Sequence, residues 1–294
     1  MMKSSFIGLG RMGAPMAARI IQSGKKLTVF NRDAEKAKPL IDLGAQKAAS
    51  ADEAFKGASL VFTMVSNDDA LDSVATVSRI GSMAEGGVHV SMSTISVAFA
   101  ETLSNRHASL GTGFLSCPVF GRPSAAAQGA INLCLAGPSE AKERARPFLE
   151  PMGPIYDMGE KASGANAVKI AGNFMIASAI EMMSEAFSLA EKHGVAAESF
   201  YNLVSQTNFS CPVVKIYGRL ILDESFEPAG FSANLASKDV GLVRAAARGS
   251  LTPMPMASVL ADRFLRIQAR GWGEKDWSVA GRCQREDAGL VKPE

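Results

Sequence analysis

Short apolar runs alternate with segments of helical periodicity through the first half of the chain. Residues 5–8, 27–31, 60–65, 88–91, 113–117 and 131–136 have strand length and are rich in Val, Ile and Phe. Between the early ones, residues 14–23, 34–43, 51–55 and 70–79 space their apolar positions as amphipathic helices do. This alternation predicts a doubly wound parallel sheet with its ligand crevice at the carboxyl ends of the strands. Near Gly159 the pattern changes. Residues 162–193 read as one long helix, apolar at Val168, Phe174, Met175, Met182, Phe187 and Leu189, with Gly194 where a helix stops. Such a helix spans roughly 45–50 Å, longer than a small domain is wide, so it is expected to bridge domains or subunits. Beyond it, residues 199–206, 212–222, 235–248, 254–270 and 277–284 are helical in pattern, with Pro/Gly turns between them and no alternating strand. The expected organisation is an α/β domain over residues 1–161 and an all-α domain over residues 162–294, joined by the long helix.

Composition narrows the function. The 294 residues suit two domains at about 100–200 residues each. Hydrophobic residues at 47% and charged residues at 20% supply two cores and exclude disordered or collagen-like chains. Lys+Arg 31 against Asp+Glu 29 leaves a net charge of +2, without the basic footprint of a nucleic-acid binder, so a small molecule is the expected partner. The early apolar run at Phe6 is cut by Arg11, and the most apolar helical stretch, residues 171–180, carries Asn173 and Ser178 and meets Glu181. Neither a signal segment nor a membrane span is expected, and the cytoplasm is the expected location. Cys117, Cys134, Cys211 and Cys283 are widely spaced and read as free buried thiols.

Gly8-Leu9-Gly10-Arg11-Met12-Gly13 closes a strand-like run and opens a helical one. In that context Gly8 makes a tight turn, Gly10 lets a pyrophosphate approach the backbone, and Gly13 allows close packing of helix on sheet. The helix amino terminus then offers its unpaired N–H groups to the phosphates. About 20 residues on, where an acid would accept the ribose hydroxyls of NAD, stand Asn31 and Arg32. A guanidinium there grips a 2′-phosphate and argues for NADP over NAD; the competing reading leaves Arg32 in solvent and gives the ribose to Asp33.

The stretch Gly8 to Ala17 resembles the signature of the β-hydroxyacid dehydrogenases, the 3-hydroxyisobutyrate dehydrogenase family within the 6-phosphogluconate dehydrogenase superfamily. Three later stretches resemble that family in order: Ser91-Met92-Ser93-Thr94-Ile95-Ser96, Gly164 to Asn173, and Lys238-Asp239. The resemblance covers nearly the whole chain. It implies a Rossmann domain followed by an all-α domain, with nicotinamide and substrate in the cleft between them. It also implies Val65, Thr94 and Lys238 against the cofactor, Ser93 beside the substrate, and Lys169 as catalytic acid/base with Asn173 next to it. Homodimers or homotetramers are the family's habit. Independently of the resemblance, Lys169 and Asn173 stand four apart on a helix, both polar on an apolar stretch. An ammonium held by an amide would protonate the alkoxide left by hydride transfer, and the neutral amine would take the hydroxyl proton in the reverse direction.

One segment departs from the family. Where relatives carry an Asp-Ala-Pro-Val-Ser-Gly-Gly-like stretch, this chain has Ser116-Cys117-Pro118-Val119-Phe120-Gly121-Arg122-Pro123. Phe120 puts an apolar wall in place of a small hydroxyl, Gly121 is kept, and Arg122 either clamps a substrate carboxylate or faces water. His193 suits a helix carboxyl terminus, His89 and His107 lack partners at metal-ligand spacing, and no metal site is legible. Asp68 and Asp69 read as turn chemistry. Trp272 and Trp277 would line a pocket or close the helical core. The expected function is an NADP-dependent oxidoreductase acting on a small β-hydroxy acid, semialdehyde or oxo acid. The alternatives are an imine-reductase-like NADPH enzyme, against which Lys169 argues, and a catalytically idle dinucleotide-binding sensor or scaffold.

Overall fold

The computed structural model describes residues 2–292. The chain forms two compact units, one up to Lys169 and one from Ile170.

The first unit holds a six-stranded, all-parallel sheet of β1 (Ser4–Ile7), β2 (Thr28–Phe30), β3 (Gln46–Lys47), β4 (Leu60–Thr63), β5 (Val88–Ser91) and β6 (Gly113–Ser116), in the order β3-β2-β1-β4-β5-β6. This is the doubly wound order, with its direction of winding reversing between β1 and β4. Successive side chains serve opposite faces. Phe6, Leu60, Phe62 and Val90 enter one core, Ile7, Val61 and Phe114 the other, which is why these strands read as unbroken apolar runs. The crossovers are α1 (Gly13–Gln22), α2 (Lys38–Asp42), α3 (Ala51–Phe55), α4 (Asp68–Val74), α5 (Val77–Gly81) and α6 (Val97–Ser109). The helix expected over residues 70–79 is two helices, because Thr76 accepts the Arg79 N–H and starts a new one. The segment at 34–43 splits likewise into a 3₁₀ turn capped by Asp33 and then α2.

A second sheet, which the pattern reading missed, joins β7 (Val119–Phe120), β8 (Asn132–Leu135) and β9 (Ile155–Asp157), with β7 antiparallel and β9 parallel to β8. Between its strands in sequence come α7 (Pro123–Gln128), which packs beside α1, and α8 (Ser139–Leu149), which packs against β5 and β6.

The long helix, α9, runs from Ser163 to Lys192 and ends one residue before the stretch expected for it does. Gly194 adopts a left-handed conformation there, and the Val195 N–H returns to the Ala190 carbonyl. The second unit continues with α10 (Ala197–Gln206), α11 (Pro212–Leu222), α12 (Ala233–Gly249), α13 (Pro255–Ala269) and α14 (Ala280–Asp287), and contains no strand among the described residues. Ile180, Met183 and Phe187 of α9 pack in a core with Phe264, Ile267, Trp272 and Trp277. Trp277 stands edge-on to both Tyr217 and Phe231, so both tryptophans close the helical core. Buried Arg263 ties α13 to Glu181 of α9 at 2.9 Å. No helix is long and apolar enough to cross a membrane among the described residues. The four cysteines are free, but Cys211 is exposed where all four were expected to be buried.

Candidate active site

The glycine loop connects β1 to α1. Gly8 has φ +96°, and a Cβ there would lie 2.2 Å from the Met64 carbonyl oxygen, so only glycine makes this turn. A Cβ on Gly13 would lie 1.9 Å from the Gly8 carbonyl oxygen, which is the close helix–strand approach the motif demands. At Gly10 a Cβ would meet nothing within 4 Å. The backbone of Gly10 thus borders open space at an α1 amino terminus with no side-chain cap and no acid in its first turn, a fitting seat for a dinucleotide's pyrophosphate. Leu9 is buried, Arg11 exposed and Met12 half-buried. The Leu9 N–H donates to Asn31 Oδ1 at 2.9 Å, and Asn31 Nδ2 donates to the Asp33 carbonyl, so Asn31 braces the loop against the end of β2. Asp33 accepts the Glu35 N–H, while Arg32 stands exposed.

The loops after β4 and β5 are tied together. The Val65 N–H donates to Ser93 Oγ at 2.8 Å, and Asp68 accepts both the N–H and the hydroxyl of Ser96. Ser93, expected beside the substrate, is fully buried, and its hydroxyl oxygen accepts the Val65 N–H. Thr94 follows it, half-buried.

Among the polar residues that α9 buries are Asn166, Lys169 and Asn173, 1%, 8% and 5% exposed. Lys169 Nζ stands 4.1 Å from the centroid of the Phe120 ring. Burial raises the nearby Cys134 thiol above its ordinary range, and the charge of Lys169 opposes that rise. Neither end of the Asn166 amide has a hydrogen-bond partner. Sequence reading passed over Asn166, although its place three residues before Lys169 puts both on one helix face. Asn173 Nδ2 donates to Asp239 Oδ2 at 2.6 Å, and Lys238 Nζ lies 3.1 Å from Asp239 Oδ1. Gly121 has φ +149°, and its Cβ would press on Ile131, so this position also needs glycine. Arg122 is half-buried just ahead of α7.

His89 and His107 have each other as partners, which their spacing in sequence hides. They form a buried chain from Thr63 Oγ1 through His89 and His107 to Thr112 Oγ1, with links of 2.9, 3.0 and 2.9 Å. Burial holds His89 well below its ordinary value and His107 at about 3, so both rings are neutral. No group of three or more His, Cys, Asp or Glu side chains gathers as a metal site among the described residues.

Residues 3–162 match the NAD binding domain of 6-phosphogluconate dehydrogenase, and residues 163–282 match the family described as NAD-binding of NADP-dependent 3-hydroxyisobutyrate dehydrogenase. The chain belongs to this family. It is an NAD(P)-dependent oxidoreductase of the β-hydroxyacid dehydrogenase type. It is 41% identical over 286 residues to the uncharacterized oxidoreductase YfjR of Bacillus subtilis (strain 168), covering 96% of this chain and 99% of the relative. It is 30% identical over 288 residues to the NAD-dependent L-serine dehydrogenase of Pseudomonas aeruginosa, covering 95% and 96%. The solved structure of Mycobacterium tuberculosis 3-hydroxyisobutyrate dehydrogenase with L-serine has a TM-score of 0.89 at 29% identity, covering 97% of this chain and 100% of that one.

Proposed function

We propose that the protein moves hydride between NADP and a small β-hydroxy acid or its semialdehyde or oxo acid, with Lys169 donating and accepting the proton. The observation that carries this reading is the burial of Lys169. An ordinary helix lysine snorkels its ammonium to water, whereas this one lies over an aromatic face near the unmet amide of Asn166. When bound, the nicotinamide supplies or receives the hydride. In reduction, Lys169 passes a proton from Nζ to the carbonyl oxygen as the C=O π pair moves onto that oxygen, leaving a C–OH group and a neutral amine. In oxidation the amine takes the hydroxyl proton back. Asn173, its amide fixed by Asp239, is the neighbouring positioning residue.

Residues 1–161 hold the cofactor in this reading, through the loop from Gly8 to Gly13, Asn31, Arg32, Val65 and Thr94; residues 162–294 add Lys238 and serve substrate binding and dimerisation. NADP is favoured because Asn31 and Asp33 already accept backbone N–H groups, leaving the guanidinium of Arg32 as the group at the end of β2 suited to a 2′-phosphate. Arg122 meets the substrate carboxylate, with Ser93, Phe120 and Gly121 beside it. L-serine, bound in the M. tuberculosis structure, is itself a β-hydroxy acid, which supports the substrate class. The exposed stripe Val168, Met175, Met182 and Leu189 on α9, at seven-residue spacing, is suited to a second copy of the chain in a homodimer or homotetramer.

Turnover of 3-hydroxyisobutyrate, L-serine and malonate semialdehyde with NADP or NADPH tests the reading. Lys169→Ala should lower turnover by ~10²–10⁴ with NADPH affinity nearly unchanged, and Asn173→Ala should lower it by less. A Lys169→Ala variant as fast as the native protein rejects it.

A further inference from the structure

The residue that sets this chain apart from its family's pattern is the one beneath the lysine. Phe120 ends β7, whose backbone pairs Val119 with Leu133 and Phe120 with Asn132 of β8. Alternation along the strand sends Val119 into the main core and Phe120 to the other face, where it packs with Cys134 of β8, Ala136 just beyond that strand, Met158, and Ala165 of α9. The small side chain of Ala165 admits α9 close to this cluster. One turn on, Lys169 sets its ammonium 4.1 Å above the ring, well within the ~6 Å reach of a cation–π contact.

Burial and the ring act on this ammonium in opposite directions. Burial strips its hydration and favours the neutral amine, while the negative face of the ring favours the charged form, most strongly where water is excluded. The titratable group facing it from β8 is Cys134, which stays a neutral thiol and adds no counter-charge. A serine at position 120 would supply one hydroxyl and no such face. We propose that Phe120 is a positioning residue that keeps the Lys169 ammonium charged and aimed, so that the proton needed for carbonyl reduction is in place before hydride arrives. The inference rests on reading Lys169 as the proton donor.

Lysine labelled with ¹³C at Cε, with the Lys169 signal assigned by its loss in Lys169→Arg, gives a titration midpoint without substrate or turnover. Phe120→Leu should lower that midpoint by about one pH unit, a tenfold change in the protonation equilibrium, and Phe120→Tyr should leave it in place. Phenylalanines carrying one, two and three ring fluorines at position 120 keep the shape while weakening the negative face, and should lower the midpoint stepwise. This series stands even where Phe120→Leu fails to fold. A midpoint that does not move across the fluorinated series overturns the proposal and leaves the Lys169 reading intact. Undiminished turnover in Lys169→Ala removes that reading while leaving the ring contact measurable.

Discussion

Fold and cofactor binding can be separated at two neighbouring glycines. A methyl group on Gly13 would lie 1.9 Å from the Gly8 carbonyl oxygen and 3.2 Å from the Phe6 ring, while one on Gly10 meets nothing within 4 Å. Gly13→Ala therefore forces α1 away from β1 by roughly 1 Å, an overpacking strain of about 1–3 kcal/mol. At ~2–4 °C per kcal/mol that is a fall in melting temperature of about 2–12 °C. Gly10→Ala strains nothing and removes freedom from the unfolded chain, so its melting temperature should hold or rise slightly. Its methyl group nevertheless occupies the space where a pyrophosphate would meet the backbone. Losing one charge-assisted hydrogen bond costs about 1.5–3 kcal/mol, and a roughly 30-fold weaker Kd lies within that range. With NADPH at 100 times the native Kd, the native protein gains about 2.7 kcal/mol and the Gly10→Ala variant about 0.9 kcal/mol. Calorimetric scans with and without NADPH read both effects. A full NADPH-induced rise in Gly10→Ala would falsify the placement of the pyrophosphate at this loop.

Arg32→Ala should weaken NADPH binding by roughly 1.5–3 kcal/mol and leave NADH binding almost unchanged; equal losses for the two cofactors refute the 2′-phosphate contact. The folded His107 sits at about 3 against an ordinary 6.5, so the unfolded chain takes up a proton that the fold refuses, and stability is lost as pH falls from 6.5 toward 3. Between pH 7 and 5 that loss is about 2 kcal/mol from His107 alone, and urea melts of His107→Gln should show a shallower pH dependence than the native protein; equal slopes contradict it. Met182→Lys should lower the mass measured by light scattering at micromolar concentration, and a native protein that is already monomeric rules out the role given to the α9 stripe.

The parts of the fold that declare themselves in sequence are those whose burial is periodic. β1, β4 and β5 are covered on both faces and read as apolar runs, and α9 shows both its periodicity and its stop at Gly194. β3 carried no such signal. Gln46 and Lys47 are exposed, and the strand exists through backbone pairing with β2. β7 is too short for alternation to register, and α8 hides its buried side among charges, with Pro147 inside the helix. In the site, the glycine roles were legible because each follows from backbone geometry, whereas Phe120 and Lys169 are 49 positions apart and meet through the pairing of β7 with β8. The same holds for His89 and His107, brought together as α6 packs on β6, the strand beside β5.

α9 departs from the usual distribution of side chains at particular positions, although Ile180, Met183 and Phe187 are buried in the ordinary way. Helices ordinarily bury large apolar groups and leave amides and ammonium groups to water, yet this one buries Asn166, Lys169 and Asn173 and exposes Met175, Met182 and Leu189. Each buried polar group costs free energy unless it is met. Asp239 meets Asn173 and the Phe120 ring receives Lys169, while Asn166 finds no hydrogen-bond partner. A ligand that supplied a donor or acceptor would stabilise an amide left in that state, so under the proposed function the defect that weakens the free protein would favour a bound cofactor or substrate. The exposed side follows the same logic with opposite chemistry, since apolar area kept at the surface is stabilised by whatever covers it. Replacing Asn166 by an apolar residue, or the stripe by charged ones, would make the isolated chain conform better to its solvent. Under the proposed function each change would also remove an incentive for the liganded, assembled state, so local rule-breaking concentrated on one helix would point to function rather than to loose construction.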